Sequence, residues 1–476
     1  MTNRTSTSKR PKTQEEKRVP ASYVGIVNPY CAGIDIGSRS HFVAAPIIAE
    51  GVHDICIKEF ASFTPDLYAL ADWLKELGVT SVAMESTGVY WIPLYEILEK
   101  RGFEVKLVDA RHVKNVTGRK TDVVDCQWLQ QLHACGLLSG AFRPADEILP
   151  LRSYMRQRKI LIAESATAVG HMQKAMTQMN LHLTNVLNDI VGLTGMNIIR
   201  AIVAGERDPK KLAKFRDPRC KQPWEVIEKS LTGNYRPEHL FSLQQALEAF
   251  DFYQKQILFC DQRIEEALKD LNSTSGVTPH DHGSDSKPVA PRTYRSKGGN
   301  ALYFDPIPYL ISMTKVDITK VPGIGANLAV SILSETGVDI SRWKSAKHFT
   351  SWLGLSPENK VSGGKILSSR TQRSSNEAAE GFRMAAFSIQ RSQTGLGGFF
   401  RRIKSKHGAP KAVTATARKI ATIFYTLLTK GVEYVESGLQ QYEENYKERI
   451  MKGLQKRARD LGMILMPDPN VARAGS

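Results

Sequence analysis

The chain has 476 residues, 42% of them hydrophobic and 24% charged, which is enough for two or three domains that each bury a core. No apolar run approaches the ~18 residues a bilayer span needs, and the polar start MTNRTSTSKRPKTQEEKRVP lacks an apolar signal core, so neither a membrane protein nor a secreted one is expected. Lys+Arg number 65 against 48 Asp+Glu, a net charge of +17, and residues 340–476 hold 24 basic and 10 acidic side chains, so a polyanion, most commonly nucleic acid, is the expected partner.

Residues 1–22 read as a disordered basic tail with breakers at Pro11 and Pro20. Two short apolar runs, Ala32–Ile36 and His41–Ile47, flank Gly37-Ser38-Arg39-Ser40, a hairpin signature, and Val52–Phe60 follows as a third strand. Thr64-Pro65-Asp66 opens a helix, with Thr64 as cap, Leu67, Leu70, Ala71 and Leu74 at helical spacing and Gly78 as the stop. Strand Thr80–Met84, helix Pro93–Arg101, strand Phe103–Val108 and a helix from Thr121 to Leu138, closed near Gly140, complete a β-β-β-α-β-α-β-α order. Three strands in a meander followed by alternation imply a mixed sheet covered by helices, over residues 23–150.

Residues 151–271 are helical. Leu243, Leu247, Phe250, Ile257, Ile264, Leu268 and Leu271 fall on a 4-3 spacing with Gln254 and Asp261 as polar interruptions. That coiled-coil-like seam suits either self-association or packing inside the chain. Residues 272–300, rich in Ser, Gly, Pro and Asp, form a linker whose His280 and His282 are given no role. Residues 301–430 are mainly α. They open with Val321-Pro322-Gly323-Ile324-Gly325 before an apolar helix, a helix-hairpin-helix-like turn in which Gly323 and Gly325 let the backbone approach a phosphate. Residues 431–476 are a basic C-terminal extension.

Four acids are the candidate chemical centre. Asp35 lies inside an apolar strand, where a charge is expensive to bury without a partner. Glu85 ends the fourth strand. Asp122 and Asp125, spaced i, i+3 at a helix start, share one face that Leu129 and Leu132 continue. Carboxylates from separate elements that meet at one point suit hard divalent ions such as Mg²⁺, two of which clamp a reacting phosphodiester. The bland account of Asp122 and Asp125 is stabilisation of a helix N-terminus. The six cysteines (Cys31, Cys56, Cys126, Cys135, Cys220, Cys260) contain no CxxC pair; they suit reduced cytosolic thiols and give no zinc site. Gly33-Ile34-Asp35-Ile36-Gly37 also looks like the first phosphate loop of the sugar-kinase and actin class, but that class's later phosphate and adenosine segments are not found.

The second half offers a nucleophile in Ser362-Gly363-Gly364, where glycines permit close approach, with Lys365, Arg370 and Arg373 as phosphate-binding charge. Composition alone does not separate Ser362 from Ser356, Ser368, Ser369, Ser374 or Ser375. Arg401, Arg402 and Lys404 form a further basic patch suited to nucleic-acid backbone contact.

Taken together, strand-Asp35-x-Gly, Glu85-Ser-Thr-Gly-Val-Tyr-Trp, Lys120-Thr121-Asp122-x-x-Asp125, Val321-Pro-Gly-Ile-Gly and Gly354-Leu-x-Pro…Ser362-Gly-Gly resemble the insertion sequence 110 family of transposases, over roughly residues 28–430. The resemblance implies a RuvC-like (RNase H-like) N-terminal domain and a C-terminal transposase domain. It implies that Asp35, Glu85, Asp122 and Asp125 are catalytic Mg²⁺ ligands, and that Ser362 forms a covalent phosphoserine link to DNA during strand exchange. Its implied partners are donor and target double-stranded DNA and a non-coding bridge RNA, with a homodimer or homotetramer as the acting form and a bacterial, cytoplasmic, nucleoid-associated location. The longer linker at 272–300 and Ser374-Ser375-Asn376-Glu377 depart from the family's pattern. A rival within the same fold is a RuvC-like structure-specific endonuclease that hydrolyses DNA with two metals and no serine.

Overall fold

A computed structural model describes residues 25–49, 52–86, 88–108, 122–274, 300–372 and 376–466. The basic tail, most of the 272–300 linker, Lys120, Thr121, Arg373, Ser374, Ser375 and the side chain of Asp122 lie outside the described residues. The chain divides into two compact units between Arg143 and Pro144. Among the described residues no helix is long and apolar enough to cross a membrane.

The first unit is built on a five-stranded sheet. Strands β1 (Cys31–Ile36), β2 (Ser40–Ala49) and β3 (Val52–Ala61) form the expected antiparallel meander, while β4 (Ser81–Glu85) and β5 (Glu104–Val108) add in parallel on the far side of β1, giving the order β3-β2-β1-β4-β5. Helices α1 (Thr64–Glu76) and α2 (Trp91–Lys100) bury Leu67, Leu70, Leu74, Leu94 and Leu98 against Ile34, Ile36, Val82 and Met84. Residues of β1 and β4 that alternate with these face a third helix, α3 (Asp122–Ala134), on the opposite side of the sheet. This mixed sheet with helices is compatible with an RNase H-like fold.

Two local expectations change. The cap of α1 is Phe63, not Thr64: Thr64 already has helical geometry, Pro65 sits in the first turn, and no side chain caps the end. Helix α3 stops at Ala134 rather than continuing to Leu138. Gly136 takes φ +68°, Leu137 N–H returns to Leu132 O at 2.9 Å and Gly136 N–H to His133 O at 3.0 Å, so this glycine ends the helix before Gly140 is reached.

The second unit is mostly helical. Helix α4 (Leu149–Gln178) and α9 (Pro237–Thr274) pair along their length, with four short helices between them: α5 (Leu183–Val186), α6 (Leu193–Val203), α7 (Pro209–Ala213) and α8 (Trp224–Ser230). The pair is antiparallel, because Arg158 meets Asp261 while Ser165 Oγ accepts from Gln254 Nε2 at 2.9 Å. The apolar seam therefore packs inside the chain. Leu243, Leu247, Ile264 and Leu268 are buried, and both polar interruptions find partners on α4.

The Arg158–Asp261 pair is also buried, and it catches the chain where description resumes: Arg158 donates to Ala301 O at 3.0 Å, and Tyr303 N–H donates to Asp261 at 3.2 Å. Beyond come α10 (Ile307–Thr314), α11 (Ala326–Thr336), α12 (Ala346–Trp352), the hairpin β6 (Lys360–Ser362) and β7 (Lys365–Ser368), then α13 (Glu377–Ser388), α14 (Gly395–His407), α15 (Ala409–Lys430) and α16 (Val432–Asp460). Phe349, Phe382 and Phe424 pack ring against ring in their common core. The buried carboxylate of Glu335 on α11 accepts from Arg152 and Arg156 of α4, joining these helices to the long pair.

Candidate functional site

In the first unit the site is set by how closely α3 lies on β1. A Cβ on Gly33 would come within 2.3 Å of Gln130 N and 2.5 Å of Cys126 O, so only glycine lets the helix backbone rest there. Cys31 Sγ donates to Gln130 O at 3.8 Å, and Ser81 Oγ lies 2.9 Å from His133 Nε2. Cys31, Gly33 and Asp35 are therefore the β1 residues on the α3 side, as Ser81, Ala83 and Glu85 are on β4. The helix runs against the two strands. Four strand residues rise about 13 Å, the length of eight or nine helical residues at about 1.5 Å each. Moving from Cys31 to Asp35, or from Ser81 to Glu85, thus carries the chain from the C-terminal end of α3 to its N-terminal end, where Asp122 and Asp125 stand.

Asp35, Glu85 and Asp125 are each half-buried. The neighbouring Cys126 thiol reports on two of them: burial pushes its pKa up to about 11, and the negative charges of Asp35 and Asp125 push in the same direction. That thiol donates to Val123 O at 3.2 Å, within its own helix. Among the described residues no three His, Cys, Asp or Glu side chains are grouped to hold a metal ion, and the Asp122 side chain is not among them. Asp35, Glu85 and Asp125 offer carboxylate oxygens toward this end of the sheet, the donor type that suits a hard divalent cation. His133, which sequence reasoning passed over, ties α3 to β4. Burial first and Lys106 second press its pKa down to about 4, so it holds its bond to Ser81 as a neutral ring.

In the second unit Ser362 ends β6 at a two-residue turn. Gly363 and Gly364 have φ +54° and +74°, the left-handed pair that a tight hairpin needs, and Ser362 pairs with Lys365 across it. The hairpin stands in solvent, with Val361, Ile366 and Leu367 exposed by 58, 64 and 71%. Its base is tied by the Pro357–Thr371 bridge and by Glu358 N–H to Arg370 O at 3.0 Å. The rival serines differ in their contacts. Ser356 Oγ sits 3.1 Å from Thr350 Oγ1 and Ser368 Oγ accepts from Arg370 N–H, whereas no described residue bonds the hydroxyl of Ser362 or of Ser369, and Ser374 and Ser375 lie outside the described residues. Lys365 is exposed across the turn from Ser362, and Arg370 is exposed at the hairpin base.

Other nucleic-acid candidates divide. Gly323 has φ +86°, and a Cβ there would meet Ala385 O at 2.5 Å, so packing on α13 explains that glycine without a phosphate. Gly325 starts α11 with nothing near its Cβ position, leaving its backbone approachable. Arg401 spends its guanidinium on Gln390 O at 3.1 Å and Ser392 O at 2.6 Å. Arg402 and Lys404 are exposed.

A family model described as a transposase, of the DEDD type found in IS110 elements, matches residues 32–181, the stretch that contains all four acids. A second, described as the transposase of the IS116/IS110/IS902 family, matches residues 317–394, which include Gly323, Gly325 and Ser362. No curated protein matches the chain.

Proposed function

We propose, on the premise that the chain belongs to the IS110 family of transposases and acts on DNA, that it moves an insertion sequence by strand cleavage and rejoining through a phosphoserine intermediate. The observation that carries this reading is the division of labour. Asp35, Glu85 and the N-terminal end of α3 put carboxylates at one end of a rigid sheet, and a separate unit presents Ser362 at the tip of an exposed basic hairpin. The Ser362 oxygen attacks a DNA phosphorus, its proton passing to water, and a strand hydroxyl leaves. The hydroxyl of another strand then attacks the phosphoserine and releases Ser362. Each step breaks one phosphoester bond and forms one, so no outside energy source is needed.

Asp35, Glu85, Asp122 and Asp125 would hold Mg²⁺, and the ions would neutralise charge that develops on the phosphoryl oxygens. Guidance by a bridge RNA and a homodimeric or homotetrameric acting form belong to the same proposal. The basic surplus of residues 340–476 supports the first, since an RNA and two duplexes bring many phosphates to one protein.

The test is denaturing gel analysis of DNA incubated with the full chain and Mg²⁺. We expect a covalent protein–DNA adduct and rejoined strands, both lost in Ser362→Ala by about 10³-fold or more, the scale of removing a nucleophile. Asp125→Asn should stop the reaction as well. Ser362→Ala that still rejoins strands at the normal rate would remove the serine, and free ends without adduct would favour the hydrolytic endonuclease.

A further inference from the structure

A groove of roughly 1070 Å³ opens between the base of the hairpin, at Ser369, Arg370 and Thr371, and one face of α15. That face carries Lys411, Thr414, Arg418 and Thr422, spaced one and two helical turns apart, while the opposite face buries Ala417, Ile420, Phe424 and Leu427 in the core. Among the described residues no carboxylate lines the groove. Among the described residues Arg370, Lys411 and Arg418 have no acidic partner. At the inner wall Lys419 lies 4.5 Å from the centroids of both Phe399 and Tyr442. Burial, then Arg402 and Arg449, hold the Lys419 pKa below the ordinary lysine value. Several cations on one groove with no acidic partner among the described residues leave its positive field uncompensated. A polyanion relieves it.

We propose that this groove seats the phosphate backbone of the duplex DNA strand on which Ser362 acts, with Lys411 and Arg418 as its principal phosphate contacts. The inference rests on the transposase reading above and adds the surface that steers the strand to the hairpin. DNA is favoured over RNA as occupant because Ser369, Arg370 and Thr371 belong both to the groove and to the segment that leaves β7, so a strand held there continues toward the serine. Seven helical residues separate Lys411 from Arg418, about 10 Å of rise, which matches about three base-pair steps measured along a duplex axis at 3.4 Å each.

The experiment compares full-length wild type, Lys411→Ala/Arg418→Ala, and Lys174→Ala/Lys255→Ala on the α4–α9 pair as a charge-matched control. Fluorescence anisotropy with a duplex DNA and with an RNA hairpin is recorded between about 50 and 200 mM salt, with thermal melting to check folding. We expect the groove variant to bind duplex at least tenfold more weakly at the low end of that range. Its log K against log salt slope should be shallower by about 2, near 0.9 for each phosphate contact, while the control keeps the wild-type slope. An unchanged slope in the groove variant, an equal loss in the control, or a loss confined to RNA would each overturn the proposal. Adduct formation separates it from the parent reading. Wild type that binds with a groove-dependent slope but forms no Ser362 adduct sinks the chemistry and leaves the groove. Normal adducts from a groove variant with normal binding sink the groove and leave the chemistry.

Discussion

Two strand pairs carry the proposed chemistry, and they are built in opposite ways. The β1–β4 pair is parallel, lies in the middle of a five-stranded sheet, and is covered on one face by α1 and α2 and on the other by α3. The β6–β7 pair is antiparallel, stands alone, and exposes its apolar side chains. An isolated hairpin is marginally stable in water at best. Asp35 and Glu85 are thus placed by the core, so their geometry is bound up with the stability of their unit. Ser362 is placed by two glycines and a bridge at the hairpin base, so its geometry is nearly independent of global stability. Perturbations of the two regions should separate along that line.

The largest expected effect on the buried pair comes from acid. His133 is neutral in the fold and pressed to about 4 from an ordinary value near 6.5. The unfolded chain binds the proton more readily, so this histidine's contribution is complete above about pH 6.5 and is lost as pH falls toward 4. The shift corresponds to about 3 kcal/mol, and His41, also lowered by burial, adds in the same direction. Hydrogen exchange between pH 7 and 4.5 should show β1, β4 and α3 loosening first. His133→Phe should flatten that pH dependence. An unaltered pH dependence in His133→Phe would mean that the Ser81–His133 contact does not hold α3 on the sheet.

Next in size is Gly33→Ala. The added methyl group meets backbone atoms of α3, which cannot swing aside as a side chain can. Overpacking of this kind costs about 2 kcal/mol and pushes the helix carrying Asp122 and Asp125 away from the strand carrying Asp35. Thermal melting of the first unit and calorimetric Mg²⁺ uptake should fall together. Loss of stability with unchanged Mg²⁺ uptake would show that the acids do not depend on the α3–β1 fit.

The contrast also explains what the sequence made legible. Short apolar alternation around Gly37 and the Pro65 helix start are local signals, and the strands and α1 appear where those signals place them, while α3 ends at Ala134, short of the expected Leu138. The seam from Leu243 to Leu268 is equally visible, but its partner is not. Arg158 and Asp261 stand 103 positions apart, and nothing local says that a polar interruption in one helix will meet a guanidinium in another. For the same reason Gly323 looks like a phosphate turn when its neighbour is the Ala385 carbonyl, and Arg401 looks free when its guanidinium is bonded to its own chain. Lys411 and Arg418 are within reach of helix-face reasoning, since they lie opposite an alanine-rich buried face of α15, but the denser Arg401–Lys406 cluster is the louder signal. At Ser362 the Ser-Gly-Gly turn is readable, while the engagement of the Ser356 and Ser368 hydroxyls with their own chain is not.

The smallest expected effect tests the exposed pair, and it is the sharpest test of the contrast. Gly364 has φ +74° with nothing within 4 Å of its Cβ position. Alanine there meets no neighbour and suffers only the left-handed backbone cost, about 1 kcal/mol. That cost falls on the turn beside Ser362, so Gly364→Ala should leave the melting temperature unchanged and slow adduct formation about fivefold, the rate equivalent of 1 kcal/mol. Gly364→Asn should recover part of the rate, because asparagine tolerates this conformation better than alanine. A fall in melting temperature would mean that the hairpin belongs to the core after all. A full rate in Gly364→Ala would mean that the turn does not aim the serine, and the hydroxyl would then be positioned by the DNA it meets.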